Sequence, residues 1–286
     1  MSNDPLLTTL LDLELAISPV QKLIIGGGYG LYLKQRHIQE ALNIQTLFHL
    51  DRLPIARTTE DIDLILRAEI VTDSPSMKKI RDALDELGFE VVETAKYTQF
   101  QKQMEVGRVK IDLLASPLGE FGSKVPKDSR RVRPRPSVKL HASKLEEAVA
   151  VERDPLRIPL RGLLSSGNEH QCEVLIPQAF SYLLMKLFAF RDRQADANKS
   201  LGQHHAIDIY RIVGLLTKEE DANVRLLARE FAVHPKVEEA ARIIRRDFLP
   251  ADGIGRLRLM EHPLYSDRFD LNNFVNELGV LFALSE

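Results

Sequence analysis

The chain has one cysteine, Cys172, among its 286 residues. That excludes an internal disulfide and any cysteine-based zinc site, and a reducing cytoplasm is the simplest setting. It has no excess of charge of either sign: 39 Lys and Arg stand against 41 Asp and Glu, for a net charge of -2. Overall charge therefore points to no nucleic-acid or membrane partner, and any such partner has to be argued from local patches. No long hydrophobic run is present. Near the N-terminus Leu6, Leu7 and Leu10 are interrupted by Asp4, Asp12 and Glu14, with no basic lead-in, which is neither a secretory signal nor a membrane span. Internal repeats and low-complexity runs are absent too. The reading is a soluble cytoplasmic protein without a membrane partner, long enough for one large domain or two smaller ones.

Helices and strands alternate in the first half. Asp4-Pro5 predicts a helix through Ile17, because proline at the first helical position gives up an amide that has no partner anyway. Val20 to Ile25 reads as a strand stopping at Gly26-Gly27-Gly28, and Leu31 to Gln45 as a helix. Thr46 to Ala56 is a connector, and a strand with Asp61 and Asp63 follows. Ser74-Pro75 opens a helix with Met77, Ile80, Leu84 and Leu87 on one face, ended by Gly88. Residues 90–92, 99–105 and 108–114 read as strands, and 119–136, rich in Gly, Pro, Lys and Arg, as a loop. Shorter strands are expected at 137–140, 156–160 and 173–176, and helices at 178–193, 203–216, 219–231, 235–248 and 272–284. The change from mixed to all-helical composition places a domain boundary between residues 176 and 177.

Asp61 and Asp63 alternate with Ile62, Leu64 and Leu66, so on a strand both carboxylates leave the same face, roughly 7 Å apart at the backbone. Two acids that close repel unless a cation lies between them. A hard cation such as Mg²⁺ suits them; a merely solvated strand face has the same pattern. Asp112 is set opposite the apolar Val109, Ile111 and Leu113, and as a third acid on a neighbouring strand it would complete a site for two metals about 4 Å apart. The glycine run is either a structural turn or an anion cradle, where a helix N-terminus offers amides and glycine lets phosphate come close. It is no P-loop, since Gly30 is followed by Leu31-Tyr32, and no dinucleotide fingerprint, since Leu31 occupies the third glycine position.

Gly26-Gly27 after a strand, Asp61-Ile62-Asp63 on the next strand and Asp112 on a later one resemble the signature of the nucleotidyltransferase superfamily. The lead-in Arg57-Thr58-Thr59-Glu60 is similar to the Arg-x-Thr/Ser-x-Asp-x-Asp form of many bacterial members. The 33 positions from Gly28 to Asp61 exceed the spacing of the most compact members and resemble that of AbiEii-type nucleotidyltransferase toxins of toxin-antitoxin and abortive-infection systems. Those carry a lysine on a helix after the third acid, an arginine shortly after it, and then a Lys/His-x-x-x-Asp element. Here Lys186 lies in the apolar run 183–190, Arg191 and Arg193 follow, and His204-His205-Ala206-Ile207-Asp208 comes next. A histidine stands where such toxins usually have lysine.

The resemblance implies an α/β (α+β) protein: a nucleotidyltransferase-fold domain with a small mixed sheet over residues 1–176, then a C-terminal helical bundle over 177–286. It implies Asp61, Asp63 and Asp112 as ligands of Mg²⁺ (or Mn²⁺) and catalytic acids, with Lys186 and Asp208 also catalytic. Gly26, Gly27, Gly28, Arg57, Thr58, Thr59 and Arg191 would bind nucleotide. It implies transfer of a nucleoside monophosphate from a triphosphate to an RNA (tRNA) or protein hydroxyl, pyrophosphate release, and a cognate antitoxin. Two other readings stay open: an inactive nucleotide-sensing or binding module, and a small-molecule (antibiotic) nucleotidyltransferase. A sugar-nucleotide glycosyltransferase would need a larger α/β domain before the acids.

Bland alternatives stand beside these roles. The Lys186 stem would lie along its helix with the ammonium in solvent, or the amine would neutralise triphosphate. Asp208 would be an exposed acid paired with Arg211, or would orient Lys186. Thr58 or Thr59 would bond phosphate or buttress the strand. The basic run from Lys124 to Lys139 is a solvated loop or an RNA-backbone contact, without the interleaved aromatics of a single-strand platform. His204 and His205 have no repeated spacing or nearby cysteine to suggest zinc.

Overall fold

Capping side chains followed by proline start several helices, and glycines make the turns that bring the acids together. In the computed structural model, which describes residues 4–41, 43–55, 59–104, 107–128, 130–194 and 199–283, α1 (Pro5–Ile17) opens where Asp4 accepts the Leu6 N–H. After it come β1 (Ile24–Ile25), α2 (Gly27–Glu40), β2 (Asp61–Leu66), α3 (Ala68–Val71) and α4 (Ser74–Glu86), the last capped by Asp73. The remaining strands are β3 (Glu90–Val91), β4 (Gln99–Gln103), β5 (Arg108–Ala115), β6 (Arg131–Val132), β7 (Ala142–Lys144), β8 (Leu156–Leu163) and β9 (Glu169–Ile176). Helices α5 (Ala179–Arg193), α6 (Lys199–Gly214), α7 (Lys218–Glu230), α8 (Pro235–Asp247), α9 (Ile254–Met260) and α10 (Leu271–Leu281) follow.

The protein is α+β, and its strands form one mixed sheet in the order β3-β4-β5-β2-β1-β9-β8, with β7 joining β5 and β6 joining β7. β2 runs parallel to β5 and antiparallel to β1, and β1 is parallel to β9. One sheet face carries the buried Ile62, Leu64, Val109, Ile111 and Leu113, and α1 packs against β5, β8, β9 and α4. Gly162 on β8 permits that approach: a Cβ there would meet Leu11 Cδ1 at 2.9 Å.

The chain divides into two compact units. One comprises Met1–Lys34, Thr58–Glu146 and Glu152–Pro177; the other comprises Gln35–Arg57, Glu147–Val151 and Gln178–Glu286. Two segments upstream of residue 176 are thus grouped with the helices. In the helical unit, α5 is buried along nearly its whole length and packs on α6, α7 and α8. The connector after α2 is pinned by Leu47 and Phe48 N–H groups donating to the Leu216 and Gly214 carbonyls. Gly214 leaves room for it, since a Cβ would lie 2.4 Å from Leu53 Cδ2. No helix among the described residues is long and apolar enough to cross a membrane.

Local expectations differ from the structure in several places: β1 is shorter than expected, at Ile24–Ile25, α2 ends at Glu40 rather than Gln45, and β6 lies inside the expected loop. α2 starts at Gly27 rather than Leu31, because Gly27 takes φ +62 and makes the strand-to-helix turn alone. Residues 137–140 are not a strand: Lys139 is left-handed at φ 56, and the strand forms later, at β7. α9, with its short apolar repeat, had no expected counterpart.

Candidate active site

The register of two strands builds the acidic centre. Asp63 on β2 lies directly opposite Asp112 on β5, and Asp61 opposite Lys110. Neighbouring strands are about 4.8 Å apart and side chains alternate between faces, so Asp61, Asp63, Lys110 and Asp112 emerge together, opposite the apolar face. Gln99 on β4 pairs across from Asp112. Burial, more than any other cause, raises the Asp112 pKa above the usual carboxylate range; Lys110 pulls the other way and Asp61 adds to the rise.

The glycine turn meets this face from the side of β1. The Gly26 N–H donates to the Asp63 carbonyl at 2.8 Å, continuing the ladder for one residue, and the Gly30 N–H donates to the Gly26 carbonyl at 2.9 Å as α2 begins. Asp63 lies so close to the turn that a Cβ at Gly27 would be 1.5 Å from its Oδ2. Gly28 is the next residue of α2. Thr59 Oγ1 accepts the Asp61 N–H at 3.3 Å. Arg57 and Thr58 lie outside the described residues.

The donor set suits a hard cation: carboxylate oxygens on adjacent strands, with Asp112 Oδ1 buried and without a hydrogen-bond partner. The three acids share a face without closing into one compact cluster. Among the described residues, the group of three whose ligand atoms lie within 4.8 Å of one another is a different one, Glu14, His170 and Cys172. Asp61 instead faces the Lys110 ammonium, at 3.3 Å. Sequence reasoning missed Lys110 and Gln99, although Lys110 lies two residues before Asp112 and so shares its face.

The helical unit contains a second polar constellation. Lys186 Nζ donates to Asp208 Oδ2 at 2.6 Å, and Arg211 Nη1 donates to Asp208 Oδ1 at 3.2 Å. Arg211 continues to Gln35 Oε1 through Nε at 3.0 Å and Nη2 at 2.7 Å, and Gln35 Nε2 donates to the Pro54 carbonyl at 2.9 Å. Asp208 and Arg211 are essentially inaccessible, and the Lys186 side chain is 9% exposed. Lys186 therefore does not reach into solvent, and Asp208 is not an exposed acid; it bonds both cations. The Asp208–Arg211 pair expected from the sequence is present, but buried rather than exposed; Gln35 escaped sequence reasoning, since nothing local ties α2 to α6. Arg191 stacks on Phe188 at 4.5 Å and pairs with Asp192 and Glu239. Glu239 bonding gives it a structural partner beyond the expected nucleotide role. His204 Nδ1 lies 2.9 Å from His262 Nε2, and neither His204 nor His205 joins a metal-type cluster among the described residues.

A family model described as "Nucleotidyl transferase AbiEii toxin, Type IV TA system" matches residues 46–270. The chain belongs to this AbiEii nucleotidyl transferase toxin family. The matched span takes in Asp61, Asp63, Asp112, Lys186 and Asp208 and begins after the glycine turn. The chain has no significant match among curated proteins and none among solved structures.

Proposed function

We propose that the protein transfers a nucleoside monophosphate from a triphosphate to a hydroxyl of an RNA, such as tRNA, or of a protein, acting in the cytoplasm as the toxin of a toxin-antitoxin pair. The observation that carries the reading is the β2–β5 register, which sets Asp63 beside Asp112 and Asp61 on the same face against the Gly26-Gly27 turn. Family membership supports the reaction class. In this reading Asp61, Asp63 and Asp112 hold Mg²⁺ (or Mn²⁺), which when bound neutralises phosphate charge and activates the attacking oxygen.

The chain's own groups do the rest. Backbone N–H groups of Gly27 and Gly28, at the start of α2, take phosphate oxygens. Asp112 accepts the proton of the attacking hydroxyl. Lys186 neutralises triphosphate charge, and Asp208, tied to Arg211 and Gln35, keeps its ammonium in one place. The acceptor oxygen displaces pyrophosphate at the α-phosphate, so the protein works by positioning and by charge, as in other phosphoryl transfers.

The test is incubation with each α-labelled nucleoside triphosphate, Mg²⁺ and total RNA or protein. Label is expected on one acceptor class with the wild type and absent with Asp63→Asn. Nucleotide binding without transfer by the wild type would favour the inactive sensing module instead, and transfer to an added aminoglycoside alone would favour the antibiotic-modifying reading.

A further inference from the structure

Glu14 on α1 and His170 and Cys172 on β9 converge in the sheet unit, away from the aspartates on β2 and β5. Glu14 Oε2 lies 3.0 Å from His170 Nε2. The carboxylate, imidazole and thiol ligand atoms all lie within 4.8 Å of one another. The strand pattern explains the convergence: His170 and Cys172 are two apart and so leave the same face of β9, opposite Gly162 and Leu160 of β8. That is the face on which α1 packs, and the absence of a side chain at Gly162 lets α1 sit close enough for Glu14 to reach both. All three residues are partly buried; the Glu14 and His170 side chains retain 15% and 21% exposure.

We propose that Glu14, His170 and Cys172 form a binding site for a Zn²⁺-class transition metal, with water as the fourth ligand. One sulfur, one nitrogen and one carboxylate oxygen match the borderline-soft character and four-coordinate habit of zinc, and they do not suit Mg²⁺. The expectation that a single cysteine excludes any cysteine-based zinc site is too broad: it excludes a cysteine-only site, whereas a mixed site needs only one thiolate. Binding replaces the Glu14–His170 hydrogen bond with two bonds to the ion; the proton of that bond moves to His170 Nδ1 or to solvent, and the thiol proton of Cys172 is released to solvent. The ion ties α1 to β9, a structural role separate from the proposed transfer chemistry.

The site can be tested with Co²⁺ as a spectroscopic stand-in on the chelator-stripped full chain. One equivalent is expected to produce a thiolate-to-cobalt charge-transfer band with ligand-field bands of tetrahedral intensity, displaced by Zn²⁺ and not by excess Mg²⁺. Cys172→Ser is expected to abolish the charge-transfer band, and His170→Gln to weaken Co²⁺ binding at least about tenfold. Asp63→Asn, whose change lies in the other acidic centre, should leave the spectrum intact. Zn²⁺ should also raise the Tm of the wild type and not of Cys172→Ala. A wild-type spectrum without the charge-transfer band, or Co²⁺ binding of equal strength in Cys172→Ser and wild type, overturns the proposal.

Discussion

Gly27 shows how little space the acidic centre leaves at the scale of single residues. Alanine there meets two obstacles: a left-handed backbone at φ +62 and a Cβ 1.5 Å from Asp63 Oδ2. Because the obstructing atom ends the side chain on which the proposed reaction depends, relief by rotation would displace the ligand. Gly27→Ala is expected to lower transfer by about a hundredfold or more, with a smaller loss of stability, read by single-turnover labelling beside a thermal melt.

Asp112 makes the opposite trade. Its raised pKa means that the folded chain holds this proton more tightly than the unfolded one, so the stabilising protonated form is fully present below about 3.8 and is lost as pH rises through the folded value. At neutral pH the buried carboxylate is a burden on the metal-free fold. Asp112→Asn should therefore melt a few degrees above wild type at pH 7.5 without added metal, with the difference vanishing in acid, while transfer is abolished. Equal melting temperatures at both pH values would contradict this account.

Between elements, the decisive feature is the polar chain from Lys186 through Asp208 and Arg211 to Gln35. Its members do not contribute equally. Removing the Asp208 carboxylate leaves two cations buried without their anion, whereas removing the Lys186 ammonium leaves Asp208 still paired with Arg211. Asp208→Ala is expected to cost about 3–5 kcal/mol in urea unfolding. Lys186→Met should cost clearly less and still eliminate transfer; if the two cost the same, the network is not organised around Asp208.

This is also the scale at which the sequence is least transparent. The β2 and β5 acids are legible because alternation assigns a face to each residue within one strand, and that face survives whatever the strand pairs with. Proline and capping residues marked α1, α4 and α8 for the same local reason. Lys110 shares that alternation, two residues before Asp112; Gln35 and Gln99 were not legible as site neighbours, since a partner on another element, 176 positions away for Gln35 and Arg211, leaves no periodic trace. The convergence of Glu14 with His170 and Cys172 depends on a register between a helix and a strand 156 residues apart. The left-handed Lys139 that displaces a strand to β7 was hidden because non-glycine residues rarely adopt that backbone.

For the molecule as a whole, family membership and the proposed chemistry meet in the cell. Induced wild-type protein is expected to arrest growth, Asp63→Asn to be harmless at equal abundance, and a neighbouring antitoxin gene to relieve the arrest. Arrest by both forms would mean that toxicity does not depend on nucleotidyl transfer. In the basic stretch from Lys124 to Lys139, Asp128 accepts from the Arg130 and Arg131 backbone N–H groups and pairs with the Arg131 side chain, and Lys124 lies over Phe121. Any RNA contact there rests on the remaining cations.

The Lys110–Asp61 pair gives the centre an occupant of its own. An ammonium already beside one carboxylate is a tethered rival to any divalent ion, so an ion arriving alone has to evict it, whereas one arriving on a triphosphate comes with excess negative charge that can draw Lys110 aside. The protein should then be a poor sensor of free Mg²⁺ and load metal and nucleotide as a single cargo. Titration calorimetry is expected to register little heat with Mg²⁺ alone and a clear isotherm with Mg²⁺-nucleotide, and Lys110→Met should narrow that gap.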